Sequence, residues 1–169
     1  MYNEMLNMRG QKVRNLYKNL DNWLSNQNIN ALMSQSIKAE ELFRKVGITF
    51  NVYGEDEAEE RLIPFDLMPR IIDSKEWSLI EKGITQRLIA LNMFLEDIYS
   101  KQNIVKENII PSKLINNNEA FLPEMCDFKP PGGIYTHISG IDLVRTSEKN
   151  FFVLEDNLRV PSGASYMIE

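Results

Sequence analysis

A long run of apolar residues at helical spacing dominates the middle of the chain. It predicts a helix over about residues 74–100, with Asp73 or Ser74 available as the N-cap. We expect a kink or a break at Gly83, because glycine weakens a helix interior. The apolar positions recur every three or four residues, at Trp77, Ile80, Ile84, Leu88, Leu91, Leu95 and Ile98.

Further helices and strands are predicted on either side of it. Amphipathic patterns predict helices over residues 1–26 and about 31–46, the second ending at Gly47 as its C-cap. Residues 101–133 have no regular pattern. β-branched and aromatic runs predict strands over 48–53, 134–139, 141–145 and 150–156. We therefore expect an α+β protein, with a helical segment over 1–47 packed with a mostly antiparallel sheet in a second segment over 48–169.

Composition narrows the chemistry that is open to the chain. With 169 residues, 43% apolar and 25% charged, it resembles an ordinary globular domain. A single cysteine, Cys126, excludes a disulfide framework, and a single histidine, His137, excludes paired-histidine zinc sites. We expect His137 to be a packing residue of its strand. The remaining carboxylate, amide and hydroxyl groups favour a hard cation such as Mg²⁺.

Charge and hydropathy exclude two classes of partner. A net charge of −5 argues against nucleic-acid binding through a basic surface. The apolar runs are shorter than the roughly 18 residues of a membrane-spanning helix, and the N-terminus lacks the layout of a signal peptide. We expect a cytoplasmic protein without nucleic-acid or membrane partners.

The last two predicted strands form a hairpin that gathers polar residues. If the turn centres between Glu148 and Lys149, as a two- or four-residue loop, Asp142 faces Glu155, and Asn157 lies on the same face. Opposed carboxylates repel each other, and a bound Mg²⁺ would turn that repulsion into attraction.

The same spacing has a simpler interpretation. Two exposed acids can be relieved by water or by a neighbouring arginine, either Arg145 or Arg159. In addition, a register shift of one residue would carry Asp142 to the opposite face. Spacing alone leaves these alternatives open.

Four sequence blocks carry a family resemblance. They are residues 63–72 (IPFDLMPRII), 130–138 (PPGGIYTHI), 140–145 (GIDLVR) and 152–163 (FVLEDNLRVPSG). Glu155 and Asn157 resemble the Glu-x-Asn metal motif of ATP-grasp ligases, which a Pro-Gly substrate loop follows. Asp142 matches the metal-binding Asp of the preceding strand. From about residue 40 to 169 the chain resembles the circularly permuted ATP-grasp proteins, type 2, which are related to glutathionylspermidine-synthase-like proteins.

The resemblance implies an ATP-dependent carboxylate–amine ligase. ATP would phosphorylate a carboxylate, and an amine would then displace the phosphate. Asp142, Glu155 and Asn157 would hold Mg²⁺ against the ATP phosphates. Arg145 and Arg159 are the catalytic candidates for contacting phosphate or acyl phosphate, since a guanidinium grips two oxygens.

The loop after the Glu-x-Asn motif is the expected binding loop. Ser162, Gly163 and Ser165 would present backbone N–H groups to cofactor or to a substrate carboxylate, although Pro-Ser-Gly is also an ordinary turn. In the resembling proteins, a glycine-rich lid and nucleotide-clamping lysines follow this block. Residues 48–169 are therefore expected to be a partial ATP-grasp-like domain, truncated at its C-terminal end and inactive alone.

The partners implied belong to the complete protein. They are Mg²⁺, ATP, a carboxylate or peptide-like substrate, and a separate chain if one carries the missing C-terminal half. The sequence leaves two other functions open. One is a non-catalytic interaction module that uses the N-terminal helices. The other is a hydrolase that uses Asp142 and Glu155 as acid and base.

Overall fold

The structure, a computed structural model, describes residues 2–6, 12–50, 61–62, 65–164 and 167. It combines helices with short antiparallel strand pairs, which confirms the predicted α+β class. The helices are α1 Lys18–Ser25, α2 Ile29–Val46, α3 Ser74–Ile98, α4 Asn103–Lys106 and α5 Lys113–Asn116. The strands are β1 Thr49–Phe50, β2 Arg61–Leu62, β3 Gly140–Arg145 and β4 Phe151–Asn157.

The chain divides into two compact units. The first contains residues 1–73, 145–150 and 165–169, and the second contains residues 74–144 and 151–164. The division passes through the β3–β4 hairpin, whose tip belongs to the first unit. The segment boundary predicted at residue 47 stays a prediction.

In the first unit, α2 is well capped and begins at Ile29 rather than at about residue 31, which confirms the second predicted helix, whereas α1 is shorter than expected and has no side-chain cap. The Asn28 side chain accepts the N–H of Asn30 at the start of α2, and Gly47 ends the helix with φ of +79°. The helix predicted over 1–26 is wrong at residues 2–6 and 12–17, and residues 1 and 7–11 lie outside the described part of the chain. Arg14 has an extended backbone, and three residues of 3₁₀ helix precede α1.

A small strand pair follows α2. Thr49 pairs with Leu62 in an antiparallel ladder of β1 and β2. The strand predicted over 48–53 is confirmed at Thr49–Phe50, and residues 51–60 lie outside the described part of the chain.

The second unit is built on α3. This helix runs from Ser74 to Ile98 without a break, so the helix prediction is confirmed and the kink expected at Gly83 is wrong. At its C-terminal end, Ile98, Tyr99 and Ile115 are buried together. Tyr99 stacks on Phe121 at 5.1 Å and on Tyr135 at 6.1 Å between ring centroids. This cluster is the core of the unit.

Residues 134–139 lie along α3 without forming the predicted strand. The Oδ1 atom of Asn92 accepts the N–H groups of Tyr135 (2.8 Å) and Thr136 (3.3 Å). Its Nδ2 atom donates to Thr136 Oγ1 at 3.0 Å. The strand prediction is wrong because a helix side chain takes the amides that a neighbouring strand would need. His137 is exposed, so its predicted packing role is wrong as well.

None of the helices in the described ranges has the length and apolar character needed to cross a membrane.

Candidate functional site

The candidate site lies on the β3–β4 hairpin, which one hydrogen bond closes at its tip. The Thr146 N–H donates to the Asn150 carbonyl at 3.1 Å, so the turn has three residues and the predicted two- or four-residue loop is wrong. At the other end of the hairpin, a Cβ added to Gly140 would lie 3.6 Å from the Asn157 Cβ. This distance indicates that Gly140 and Asn157 oppose each other on the same face.

The hydrogen bond between Thr146 and Asn150 and the opposition of Gly140 and Asn157 together imply one extra residue in β4. Between them β3 contributes 6 residues and β4 contributes 7. Exposure alternates along β4 until Leu154 and Glu155, which are both exposed in succession. A β-bulge at this pair accounts for both observations, because a bulge sets two residues against one and re-aims side chains.

With this bulge, the side chains of the hairpin lie on two faces. One face carries Val144, Phe152 and Leu154 near the tip and Asp142, Glu155 and Asn157 near the open end; we call the last three the acidic face. The other face carries Ile141, Leu143, Val153 and Asp156, which are all half-buried. The polar trio of the sequence therefore shares one side of the hairpin, through a bulge rather than through the turn that we expected.

The acidic face offers oxygen atoms suited to a hard cation. Asn157 Nδ2 donates to Glu155 Oε1 at 2.9 Å, which aligns the two side chains and leaves Asn157 Oδ1 and Glu155 Oε2 available. The Asp142 carboxylate is exposed opposite them. In the ranges that the structure describes, no three His, Cys, Asp or Glu side chains gather, so the set is two acids and one amide. That set fits Mg²⁺, which commonly takes one or two carboxylates and keeps several waters.

Asp156 fixes the opposite side of the same strand. Its two carboxylate oxygens accept from Arg87 Nε and Nη2 of α3, each at 2.6 Å. These hydrogen bonds, followed by the charge of Arg87, lower the pKa of Asp156, and the same pairing raises the pKa of Arg87. The bidentate pair attaches β4 to α3 directly between Glu155 and Asn157. Sequence analysis missed this pair, although a third acid inside the Glu-x-Asn motif was a signal that a cation faces it.

Arg145, a predicted phosphate contact, is buried in the first unit. Its side chain is 3% exposed and lies 3.6 Å from a Glu4 carboxylate oxygen. Its N–H groups also donate to the carbonyls of Ser147 (3.1 Å) and Glu148 (2.6 Å), and it stacks over the Tyr2 ring at 5.5 Å. This geometry favours a structural role at the hairpin tip, and contact with phosphate stays a prediction.

The segment after β4 carries the other predicted residues. Arg159 is exposed, and within the described ranges its guanidinium has no ion-pair or hydrogen-bond partner. Ser162 is exposed in a turn, in which Gly163 takes φ of +83°. Ser165 lies outside the described residues.

With this geometry established, similarity to known proteins identifies the family. A family model described as circularly permuted ATP-grasp type 2 matches residues 69–169, which include the whole hairpin and the acidic face. The chain belongs to this family. The structure therefore contains part of a circularly permuted ATP-grasp domain.

Several curated relatives match the chain over most of its length. An uncharacterized protein of Synechocystis sp. is 45% identical over 89% of this chain and 31% of its own length. An uncharacterized protein of Mycobacterium leprae is 42% identical over 99% of this chain and 29% of its own length. A Frankia casuarinae protein named "Putative glutamate--cysteine ligase 2-2" is 41% identical over 73% of this chain and 14% of its own. The chain thus spans about 30% of the first two relatives.

Proposed function

We propose that this chain supplies the Mg²⁺-binding face of an ATP-dependent carboxylate–amine ligase and does not catalyse ligation by itself. The observation that carries the proposal is the acidic face, where two carboxylates and an amide share one side of the hairpin at its open end. Family membership and the ligase name of the Frankia relative support the reaction class. The Mg²⁺ and ATP that we infer belong to the complete protein.

Each residue has a defined task in this proposal. Asp142, Glu155 and Asn157 hold Mg²⁺ through oxygen atoms, and Mg²⁺ when bound offsets the charge of the ATP phosphates. Arg159 contacts the transferred phosphoryl group or the substrate. The backbone N–H groups of Ser162, Gly163 and Ser165 orient an anionic group. Arg145 would act on phosphate only after giving up its present contacts with Glu4 and the turn carbonyls.

The Asp156–Arg87 pair supports the proposal because it holds the strand that bears two of the proposed metal ligands. Glu155 and Asn157 flank Asp156 in the chain, so their backbone is held by the two short bonds to α3. A metal site gains affinity when its ligands are oriented before binding. We infer that the pair acts as a positioning device and does not contact the metal.

Mn²⁺ binding followed by NMR tests the metal assignment directly. Mn²⁺ replaces Mg²⁺ at oxygen sites and broadens nearby signals, so the amides of residues 141–143 and 154–158 should broaden first. Glu155→Gln should weaken metal binding by at least about tenfold, since even loss of an outer partner costs about 10–100-fold. The matched control is Glu107→Gln, another exposed acid of the second unit, which should leave binding unchanged. Equal affinity in Glu155→Gln and wild type would refute the assignment.

A thermal-unfolding scan with Mg²⁺ and ATP then tests the nucleotide role. A ligand at about one hundred times its dissociation constant stabilises the folded state by about 2.7 kcal/mol. In a complete member of the family, we expect ATP to raise the Tm only when Mg²⁺ and the glutamate equivalent to Glu155 are present. In this chain, we expect ATP to change the Tm little. A full ATP shift in this chain would contradict our inference that it lacks part of the nucleotide site.

An interaction module remains the second candidate, favoured by α2. Ile29, Met33 and Ile37 on this helix are 57–70% exposed, which is unusual for apolar residues at helical spacing. A complex that is lost on Met33→Ser and unaffected by Glu155→Gln would favour this function over metal binding.

A further inference from the structure

A cleft in the second unit adjoins the acidic face and has no assigned role. Its volume is about 710 Å³, within the range of small-molecule sites. The segment that follows Asn157 forms one wall, from Leu158 to Pro161, and residues 135–138 form another. Gly140 lets this wall approach, because an added Cβ would lie only 2.8 Å from the Pro161 Cβ. The cleft and the acidic face are therefore built from the same stretch of chain.

The interior of the cleft is apolar and aromatic. Leu95, Leu122 and Met125 line it together with the rings of Tyr99 and Tyr135. Each tyrosine hydroxyl already makes one hydrogen bond. Tyr99 accepts the Leu122 N–H at 3.3 Å, and Tyr135 donates to the Phe128 carbonyl at 3.4 Å. Because the Tyr99 ring is buried and stacked, the surface that remains for a ligand is chiefly hydrocarbon.

The polar lining includes one permanent cation, Arg159. Thr136 Oγ1 is held by Asn92, whereas Arg159 and His137 have no hydrogen-bond or ion-pair partner in the described ranges. Among the described residues that line the cleft none is acidic, although the chain carries 24 acidic residues against 19 Lys and Arg. Within this lining Arg159 supplies a positive charge beside an apolar surface, which complements an anion with an apolar body.

We propose that this cleft binds the acyl substrate as a carboxylic acid with an apolar or aromatic body, its carboxylate paired with Arg159. The choice of a carboxylate rests on the proposed ligase function; the choice of an apolar body rests on the lining. In this arrangement the carboxylate lies near the residues that follow Asn157, where the phosphoryl group would arrive. Tyr99, Tyr135 and Leu122 select for the body of the acid.

Titration of the ¹⁵N-labelled chain with a series of acids tests the proposal without Mg²⁺ or ATP. The probes are acetate, butanoate, hexanoate and 4-phenylbutanoate, with 4-phenylbutan-1-ol as the neutral match. Affinity should rise about fourfold with each buried methylene, and shifts should concentrate in residues 135–138 and 158–161. The alcohol should bind at least about tenfold more weakly than the acid of the same body, since a charge-assisted hydrogen bond is lost.

Three variants test which residues bind the acid. Arg159→Gln should lower acid affinity by about 10–100-fold and leave the alcohol unchanged, whereas Arg44→Gln on the exposed side of α2 should change neither. Leu122→Ala should weaken 4-phenylbutanoate more than acetate.

Several results would overturn the assignment. They are affinity independent of the acid's length, equal binding of alcohol and acid, an unaffected Arg159→Gln variant, or displacement of 4-phenylbutanoate by AMP, which would make the cleft a nucleotide site. Because the titration contains no metal or ATP, its failure leaves the Mn²⁺ result untouched. Failure of the Mn²⁺ experiment likewise leaves acid binding measurable.

Discussion

Adding one methyl group at Gly140 should distort the candidate site. An alanine Cβ there would lie 2.8 Å from the Pro161 Cβ and 3.6 Å from the Asn157 Cβ. Carbon atoms in contact prefer about 3.5–4.0 Å, so Pro161 must retreat by about 1 Å. Its Cβ cannot swing away as a flexible side chain would, because it belongs to a ring that includes the backbone. Overpacking of this kind costs about 1–3 kcal/mol.

Gly83→Ala is the matched control for Gly140→Ala. Both variants add the same methyl group, but the Cβ at Gly83 meets nothing within 4 Å and lies in the interior of α3. Alanine is the better helix former by about 1 kcal/mol, so this variant should be more stable than the wild type. The same chemical change is therefore expected to have opposite signs at the two positions.

Urea unfolding followed by circular dichroism measures both free energies of unfolding. For Gly140→Ala we expect a loss of about 1–3 kcal/mol, equivalent to a lowering of Tm by about 2–10 °C. Adding Pro161→Gly removes the opposing Cβ, so the double variant should recover part of the loss as a coupling of at least about 0.5 kcal/mol. Metal affinity should fall in Gly140→Ala, because Asn157 is displaced with Pro161. A Gly140→Ala chain as stable as the wild type would refute the close approach.

Three further predictions concern the supports of the site and the helix cap. Asn92→Leu should lower the free energy of unfolding by about 2–4 kcal/mol through the hydrogen bonds lost from residues 135–136, and amide exchange there should accelerate; unchanged exchange would contradict these bonds. Arg87→Ala should raise the pKa of Asp156 toward its ordinary 3.8, which a ¹³C titration of the carboxyl group detects. Pairing with Arg87 lowers the pKa of Asp156 in the folded chain, so the stabilisation by this pair is complete at pH values above the ordinary pKa of Asp156. It disappears as pH falls through the lowered pKa. The free energies of unfolding of wild type and Arg87→Ala should therefore converge in strong acid. Gly47→Ala should cost about 1 kcal/mol in thermal unfolding, because φ of +79° is strained for alanine; an unchanged Tm would contradict the αL cap.

The sequence pattern was sufficient to predict the helices and caps that depend on interactions between residues close together in the chain. The period of the apolar residues identified α3, and a glycine after the last periodic residue identified the end of α2 at Gly47. Propensity failed at Gly83, where packing along a 25-residue helix outweighs the modest cost of one glycine. It also failed at residues 134–139, because the competing partner, Asn92, lies far away in sequence.

In the candidate site, too, the sequence predicted features that depend on nearby residues and missed those that depend on residues distant in the chain. Alternation along two strands was enough to suggest that Asp142, Glu155 and Asn157 meet. The bulge at Leu154 and Glu155 was beyond reach, because a bulge depends on which residues the partner strand offers at that point. The contacts of Arg145 were equally hidden, since Glu4 and Tyr2 come from the opposite end of the sequence.

One helix, α3, holds both parts of the candidate site. Arg87 bonds to the strand that bears Glu155 and Asn157, and Asn92 bonds to the wall of the cleft at residues 135–136. We expect binding of the proposed metal and of the proposed acid to be coupled, because a ligand that steadies either attachment also steadies the helix between them. Linkage is reciprocal: whatever factor the acid adds to metal affinity, the metal must add to the affinity for the acid. A cell that supplies one ligand would thereby raise the occupancy of the other, without any change in its concentration.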